Sequence, residues 1–220
     1  MTKQTKTTIA SSIFLAVVVL HIFGILSNHF LAFISKPFII TTLVIIYLVS
    51  VKKPNFWYVS ALFFSFWGDV LLLFKDQFFL FGLASFLLVH ILYIKIVAKF
   101  IKKISLQKLF VVCLPFLVFL FSFLYLLKDN LGEMTIPVII YGVVISSVGA
   151  ISLLNYIQEK STVNLWLFLG TIIFIISDGL IAVHKFINPN EIYEICIMFT
   201  YIVAQYLICK AIIVKTSDEK

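Results

Sequence analysis

The sequence predicts an all-α fold, a polytopic transmembrane helix bundle of about eight spans. Composition gives the first reason: 62% of the 220 residues are hydrophobic and only 12% are charged. Soluble domains carry about a quarter charged residues, so no solvated surface can be built from this chain. Mean hydropathy is +1.14. The second reason is run length. The apolar segments are roughly 20 residues long, enough to cross a hydrocarbon layer as a helix. The third is pattern. The runs do not alternate as barrel strands do, and a backbone in lipid can satisfy itself only as a helix or a closed barrel.

The spans are read in order at about 9–27, 37–51, 56–74, 78–98, 107–127, 134–154, 163–184 and 190–213. The first, in MTKQTKTTIASSIFLAVVVLHIFGIL, has two lysines before an apolar run, as a signal peptide would. The run continues through His21 without a clear small-x-small cleavage site, so it is read as an uncleaved span. Lys36-Pro37 opens the second. Lys52-Lys53-Pro54 and Lys75-Asp76 bound the third. Lys99 to Lys108, Lys128-Asp129-Asn130, Glu159-Lys160 and Asn188-Pro189-Asn190 separate the rest. Loops are short and no low-complexity linker occurs, which predicts one transmembrane domain over 1–220.

All 17 basic residues are lysine. With the N-terminus inside, Lys3, Lys6, Lys52, Lys53, Lys95, Lys99, Lys102, Lys103, Lys108, Lys160, Lys210, Lys215 and Lys220 fall on the inner side. Lys36, Lys75, Lys128 and Lys185 fall outside. Loop lysines set orientation, so both termini are expected to be cytoplasmic. The lysines form no dense stripe, which argues against a nucleic-acid partner. Cys113, Cys196 and Cys209 lie in apolar runs without pairing or metal spacing and read as packing residues.

Two acids break the apolar pattern. Asp69 sits in FSFWGDVLLLFK and Asp178 in FIISDGLIAVHK. A carboxylate at the centre of a span costs about 2.5–3.5 kcal/mol on insertion scales, so an acid placed there marks a site by default. A structural interhelical contact is the plain alternative, but such bonds average only about 0.6 kcal/mol. Spans three and seven run in the same direction, which places the acids at similar depth. That correspondence, extended to spans four and eight, suggests a 4+4 parallel internal repeat. On span four Gly82, Phe86, His90 and Tyr93 share one helical stripe; on span eight Tyr201, Ala204, Gln205 and Ile208 do. Ser65 precedes Asp69 by one turn, Ser177 adjoins Asp178, and Lys185 lies two turns beyond it. His21, His29 and His184 are weaker candidates. The acids and histidines are too dispersed for a zinc site, and neither metal nor cofactor is expected.

The ordered set ALFFSFWGDVLLLF, FLFGLASFLLVHILYI, LGTIIFIISDGLIAVHKF and TYIVAQYLI resembles the YhhN-like lysoplasmalogenase family. The likeness covers nearly the whole chain, and Lys36-Pro37 also fits it. The resemblance implies an integral membrane hydrolase, in a bacterial cytoplasmic membrane, that cleaves the vinyl ether of lysoplasmalogens to a fatty aldehyde and a glycerophospho-alcohol. Asp69 and Asp178 would be the catalytic acids. His90, Tyr93, Ser177, Lys185, Tyr201 and Gln205 match further motif positions. The substrate partner would be a lysophospholipid or plasmalogen-type lipid in the bilayer.

The chemistry suits two carboxyl groups. A vinyl ether hydrolyses once its alkene carbon is protonated, and the resulting oxocarbenium ion is attacked by water. The step calls for one protonated acid and one anion, as in glycosidases, and a shared proton would supply both. Lys36 and Lys185 would lie near the lipid phosphate, or serve as snorkelling anchors. The alternative is a proton-coupled carrier for a small molecule or lipid that uses the same acidic pair.

Overall fold

The computed structural model describes residues 2–218, without the side chains of Lys75, Asp76 and Asp218. Lys220, in the inner lysine set, and the side chain of Lys75, in the outer set, therefore lie outside the described residues. The chain forms α1 (Lys3–Ser27), α2 (His29–Ser50), α3 (Phe56–Leu73), α4 (Lys75–Ala98), α5 (Leu106–Leu127), α6 (Thr135–Gln158), α7 (Thr162–Phe186) and α8 (Glu191–Asp218). A short 3-10 turn, Gly132–Met134, precedes α6. Among the described residues there is no strand, and the eight helices are each long and apolar enough to cross a membrane. The all-α polytopic bundle is thus what the sequence predicts.

The helix ends differ from the hydropathy edges where capping chemistry takes over. Asn28 joins α1 to α2: its N–H donates to Gly24 O at 2.8 Å, and its Oδ1 accepts from Phe30 and Leu31 N–H. With that cap in place α2 starts at His29, eight residues before the predicted edge, and Pro37 lies inside the helix. Thr2 caps α1 by accepting from Thr5 N–H, and the hydroxyls of Thr7 and Thr8 fold back on Lys3 O and Gln4 O. The polar leader is therefore helical from Lys3. Asn55, Ser105 and Ser161 cap α3, α5 and α7 in the same way. Phe74 divides α3 from α4, and a non-helical Phe78 kinks the first turn of α4.

The core lies where α3, α4, α7 and α8 meet. α1 and α2 pair on one flank, and α5 with α6 on another. Gly24 allows the first pairing, because a Cβ there would come within 2.6 Å of Ala32 N. α5 is largely lipid-facing: Phe110, Val111, Val118, Phe121 and Tyr125 are exposed, while Val112, Phe116 and Leu120 turn inward. The lysine-rich end carries two matched anchors. Lys95 Nζ of α4 sits 3.2 Å from the ring centroid of Trp57 of α3, and Lys210 Nζ of α8 sits 3.8 Å from that of Trp166 of α7. In both α3 and α7 the tryptophan follows an asparagine by two residues and precedes the buried aspartate by twelve.

Candidate active site

The stripe on α4 places Phe86, His90 and Tyr93 inside the bundle, and that on α8 does the same for Tyr201, Ala204, Gln205 and Ile208; all are buried. Ser65 and Asp69 enter from α3, Phe174 and Asp178 from α7, and Tyr141 from α6. Asp69 is four residues before the end of α3 and Asp178 eight before the end of α7. Asp69 is 2% exposed and Asp178 8%, and each takes its partners from other helices.

Asp69 ends a directed chain. Tyr93 OH donates to Gln205 Oε1 at 2.9 Å. Gln205 Nε2 donates to Ser65 Oγ at 3.0 Å and to Tyr201 Oη at 3.4 Å. Tyr201 OH then donates to Asp69 Oδ2 at 2.9 Å. Five polar residues on α4, α8 and α3 are thereby satisfied by one another, as buried polar groups must be.

Asp178 has a separate set. Its Oδ2 accepts from Tyr141 OH at 2.8 Å, and His90 Nε2 lies 2.8 Å from the same oxygen. His90 Nδ1 is buried without a hydrogen-bond partner among the described residues. An orphan N–H is costlier than an orphan lone pair, so the ring proton belongs on Nε2, directed at Asp178. With two donors on Oδ2, the oxygen left to act is Oδ1.

Phe174 stands between the networks. Its ring centroid is 4.7 Å from that of His90, 6.3 Å from Tyr93 and 5.5 Å from Tyr201. Phe86 packs on both Phe174 and Tyr201. Gly68, just before Asp69, makes room for it, since a Cβ there would meet the Phe86 ring at 2.7 Å. Among the described residues no hydrogen bond joins the two carboxyls, and each has its own phenol. The arrangement is reciprocal: the acid of α3 is held from α8, and the acid of α7 from α4.

Two cavities adjoin this centre. A narrow apolar one, about 50 Å³, is walled by Phe86, Phe119, Phe123, Tyr141 and Ile145, with Asp178 as its one carboxyl. A larger one, about 290 Å³, is lined by His21, His29, Lys36, His184, Lys185 and Glu194. Leu72, Phe79 and Ile181 line both. Lys36 and Lys185 both line the larger cavity, and Lys36 is near enough to Asp69 for the two charges to interact. Ser177 does not reach either acid, because its hydroxyl donates to Ile197 O at 3.0 Å and ties α7 to α8. Tyr141 is the residue that sequence reasoning left out of the site. Its signal, one of several hydroxyl side chains along α6, gives no hint of which helix it faces. Among the described residues no three His, Cys, Asp or Glu side chains gather as a metal site would require.

Residues 31–212 match the YhhN family. Two curated relatives, both called "Lysoplasmalogenase", are 30% identical over 166 residues. They come from Mycobacterium bovis (strain ATCC BAA-935 / AF2122/97) and Mycobacterium tuberculosis (strain CDC 1551 / Oshkosh). Each alignment covers 72% of this chain and 60% of the relative, so the chain spans less than two thirds of the length of these proteins. No solved structure matches. The family match takes in most of the chain and every residue of the two networks, and the chain belongs to the YhhN family.

Proposed function

We propose that the protein is an integral membrane lipid hydrolase that cleaves the vinyl ether bond of lysoplasmalogens, with Asp178 as the proton donor. One observation carries this reading. Asp178 lines the apolar cavity, and both of its hydrogen-bond partners bind Oδ2, so Oδ1 is the oxygen free to act on a chain in that cavity. The name shared by the two mycobacterial relatives supports the choice of substrate.

In the proposed reaction the Oδ1 proton passes to the alkene carbon next to the ether carbon. The alkene electron pair forms the new C–H bond, and the ether carbon becomes an oxocarbenium ion. Negative charge appears on Asp178 at the same moment. The Tyr141 and His90 donors are already placed to meet it, so their bonds strengthen as the charge develops. Water then adds to the oxocarbenium carbon and loses a proton to the Asp178 carboxylate, which restores the acid. The hemiacetal collapses to a fatty aldehyde, and its hydroxyl proton goes to the departing glycerol oxygen.

Asp69 has a different part. It does not line either cavity, and its chain through Tyr201 and Gln205 reaches Tyr93, one turn from His90 on α4. We assign it the positioning of α4, and so of His90, against Asp178. The direct shared proton between the acids gives way to two separately partnered carboxyls.

Three coarser readings accompany this one. The lysine asymmetry supports cytoplasmic termini in a bacterial cytoplasmic membrane. Short connections support one domain. The matched Asn-x-Trp and Asp positions in α3 and α7, the paired lysine anchors and the reciprocal acid contacts support a 4+4 duplication.

The test is product analysis by mass spectrometry. Purified protein in lipid nanodiscs is given 1-alkenyl and 1-acyl lysophosphatidylethanolamine side by side. Free fatty aldehyde from the alkenyl lipid alone is the expected result. Release of fatty acid from the acyl lipid, or transfer of intact lipid without cleavage, would refute the assignment.

A further inference from the structure

The larger cavity holds basic and polar side chains that the proposed chemistry does not use, together with one carboxylate, Glu194, which lies 3.8 Å from His184 Nε2. The cavity lies at the end of the bundle where α1 meets α2, α3 meets α4 and α7 meets α8. That end lies opposite the one that carries the Lys95 and Lys210 anchors. Lys36 and Lys185 line it from α2 and α7, with His29 and His184 beside them.

His21 contributes a second, independent feature. It lines the same cavity and is 2% exposed. Its Nδ1 lies 2.9 Å from Ser35 Oγ, and its Nε2 is buried without a partner among the described residues. The Ser35 hydroxyl proton is directed at Leu31 O, 2.6 Å away. Ser35 is therefore an acceptor toward the ring, Nδ1 carries the ring proton, and Nε2 presents a lone pair. A buried lone pair of this kind calls for a hydroxyl donor.

We propose that this cavity is the glycerophosphate subsite of a lysolipid, with the phosphate held by Lys36 and Lys185 and the free glycerol hydroxyl donated to His21 Nε2. The proposal rests on the lipid reading of the site. The distances suit such a ligand. Asp178 and Ile181 lie one turn apart on α7, and Ile181 lines both cavities. Lys185 is seven residues beyond Asp178, about 10 Å along the helix axis at 1.5 Å per residue. A glycerophosphate unit bridges a comparable gap. A lipid with its phosphate at Lys185 therefore brings its ether bond past Leu72, Phe79 and Ile181 to Asp178, and its chain into the apolar slot. An amphiphile fits this succession of a cationic chamber, a shared apolar neck and an apolar slot.

The test uses binding and needs no turnover. A 1-alkyl lysophospholipid, which has no vinyl ether to cleave, is titrated into the full chain in nanodiscs. 1-Alkylglycerol serves as the phosphate-free control, and inorganic phosphate and glycerol phosphate as soluble competitors. Lys36→Gln and Lys185→Gln are each expected to weaken the phospholipid roughly tenfold, as loss of a charged hydrogen bond does, and the alkylglycerol less than twofold. Lys185→Arg should restore most of the loss. His21→Phe is expected to weaken the lysolipid several-fold and to leave its 2-deoxy analogue unchanged. Equal weakening of both lipids in the lysine variants, or no change in either, would overturn the subsite and leave the lysines as anchors. Inorganic phosphate binding as tightly as the lipid would overturn the lipid assignment. If alkyl lysolipid binds as described while alkenyl lysolipid is not cleaved, the hydrolase reading fails and the subsite stands.

Discussion

His90 Nε2 of α4 lies 2.8 Å from Asp178 Oδ2 of α7, a contact between residues 88 positions apart in the chain. It brings a buried histidine onto the acid that lines the apolar cavity. Tyr141 reaches the same oxygen from α6. Three helices thus converge on one carboxyl, and the substitutions below separate what each contributes.

Tyr141→Phe removes one of the two donors on Asp178 and leaves the ring packing in place. Loss of a hydrogen bond to a developing charge is worth about 1.5–3 kcal/mol, or roughly ten- to a hundred-fold in rate. The expected outcome is a fall in kcat of that size with KM little changed. Steady-state kinetics on alkenyl lysolipid checks it, and a thermal melt within a few degrees of the wild type shows that the fold is kept.

His90→Gln tests the other donor. Glutamine can donate one hydrogen bond but lacks the ring that packs on Phe174 at 4.7 Å. Both kcat and thermal stability are expected to fall. His90→Phe, which keeps a ring and loses the donor, should melt higher than His90→Gln and turn over no faster. A faster His90→Phe enzyme would remove His90 from the account.

The Asp69 chain predicts a graded pair. In Asp69→Asn the amide oxygen still accepts from Tyr201, so the chain to Tyr93 survives and kcat is expected to fall by about tenfold or less. In Asp69→Leu the Tyr201 hydroxyl is left buried without an acceptor, at a cost of about 1–3 kcal/mol. That variant is expected to melt lower and lose most activity. The comparison is read from detergent melts together with turnover. Complete loss of activity in a well-folded Asp69→Asn would give Asp69 a direct part in the chemistry instead.

Gly24→Ala tests the α1–α2 contact that shapes the larger cavity. The new Cβ would come within 2.6 Å of backbone at Ala32, which cannot swing aside as a side-chain tip would. Overpacking of this kind costs about 1–3 kcal/mol. A lower melting temperature is expected, with weaker lysolipid affinity because His21 and Ala32 line the same cavity.

The eight spans were legible in the sequence because twenty-residue apolar runs punctuated by lysine, proline and asparagine leave few alternatives. The stripes on α4 and α8 were legible too, since a helical period places Phe86, His90 and Tyr93 on one face, and that face is buried. Hydropathy put the start of α2 at Pro37, but the Asn28 cap and the Gly24 contact start the helix at His29. Partner choice was not legible. Nothing local to the α6 run says that Tyr141 meets Asp178, or that Ser177, the neighbour of Asp178, turns to Ile197 O. Such pairings depend on how helices rotate and pack, which a sequence period leaves open. For the same reason two acids at similar depth read as one dyad, whereas each has its own phenol and Phe174 packs between their partners.

The central claim is proton delivery from Asp178 to the alkene carbon, and hydrolysis of alkenyl lysolipid in D2O tests it most directly. The aldehyde is trapped at once by reduction and analysed by mass spectrometry, with wild type beside Asp178→Asn. The expected result is one deuterium on the carbon next to the carbonyl in the wild-type product, and turnover at least a thousand-fold lower in a well-folded Asp178→Asn. Near-wild-type turnover in that variant, or aldehyde without deuterium at that carbon, would contradict the mechanism.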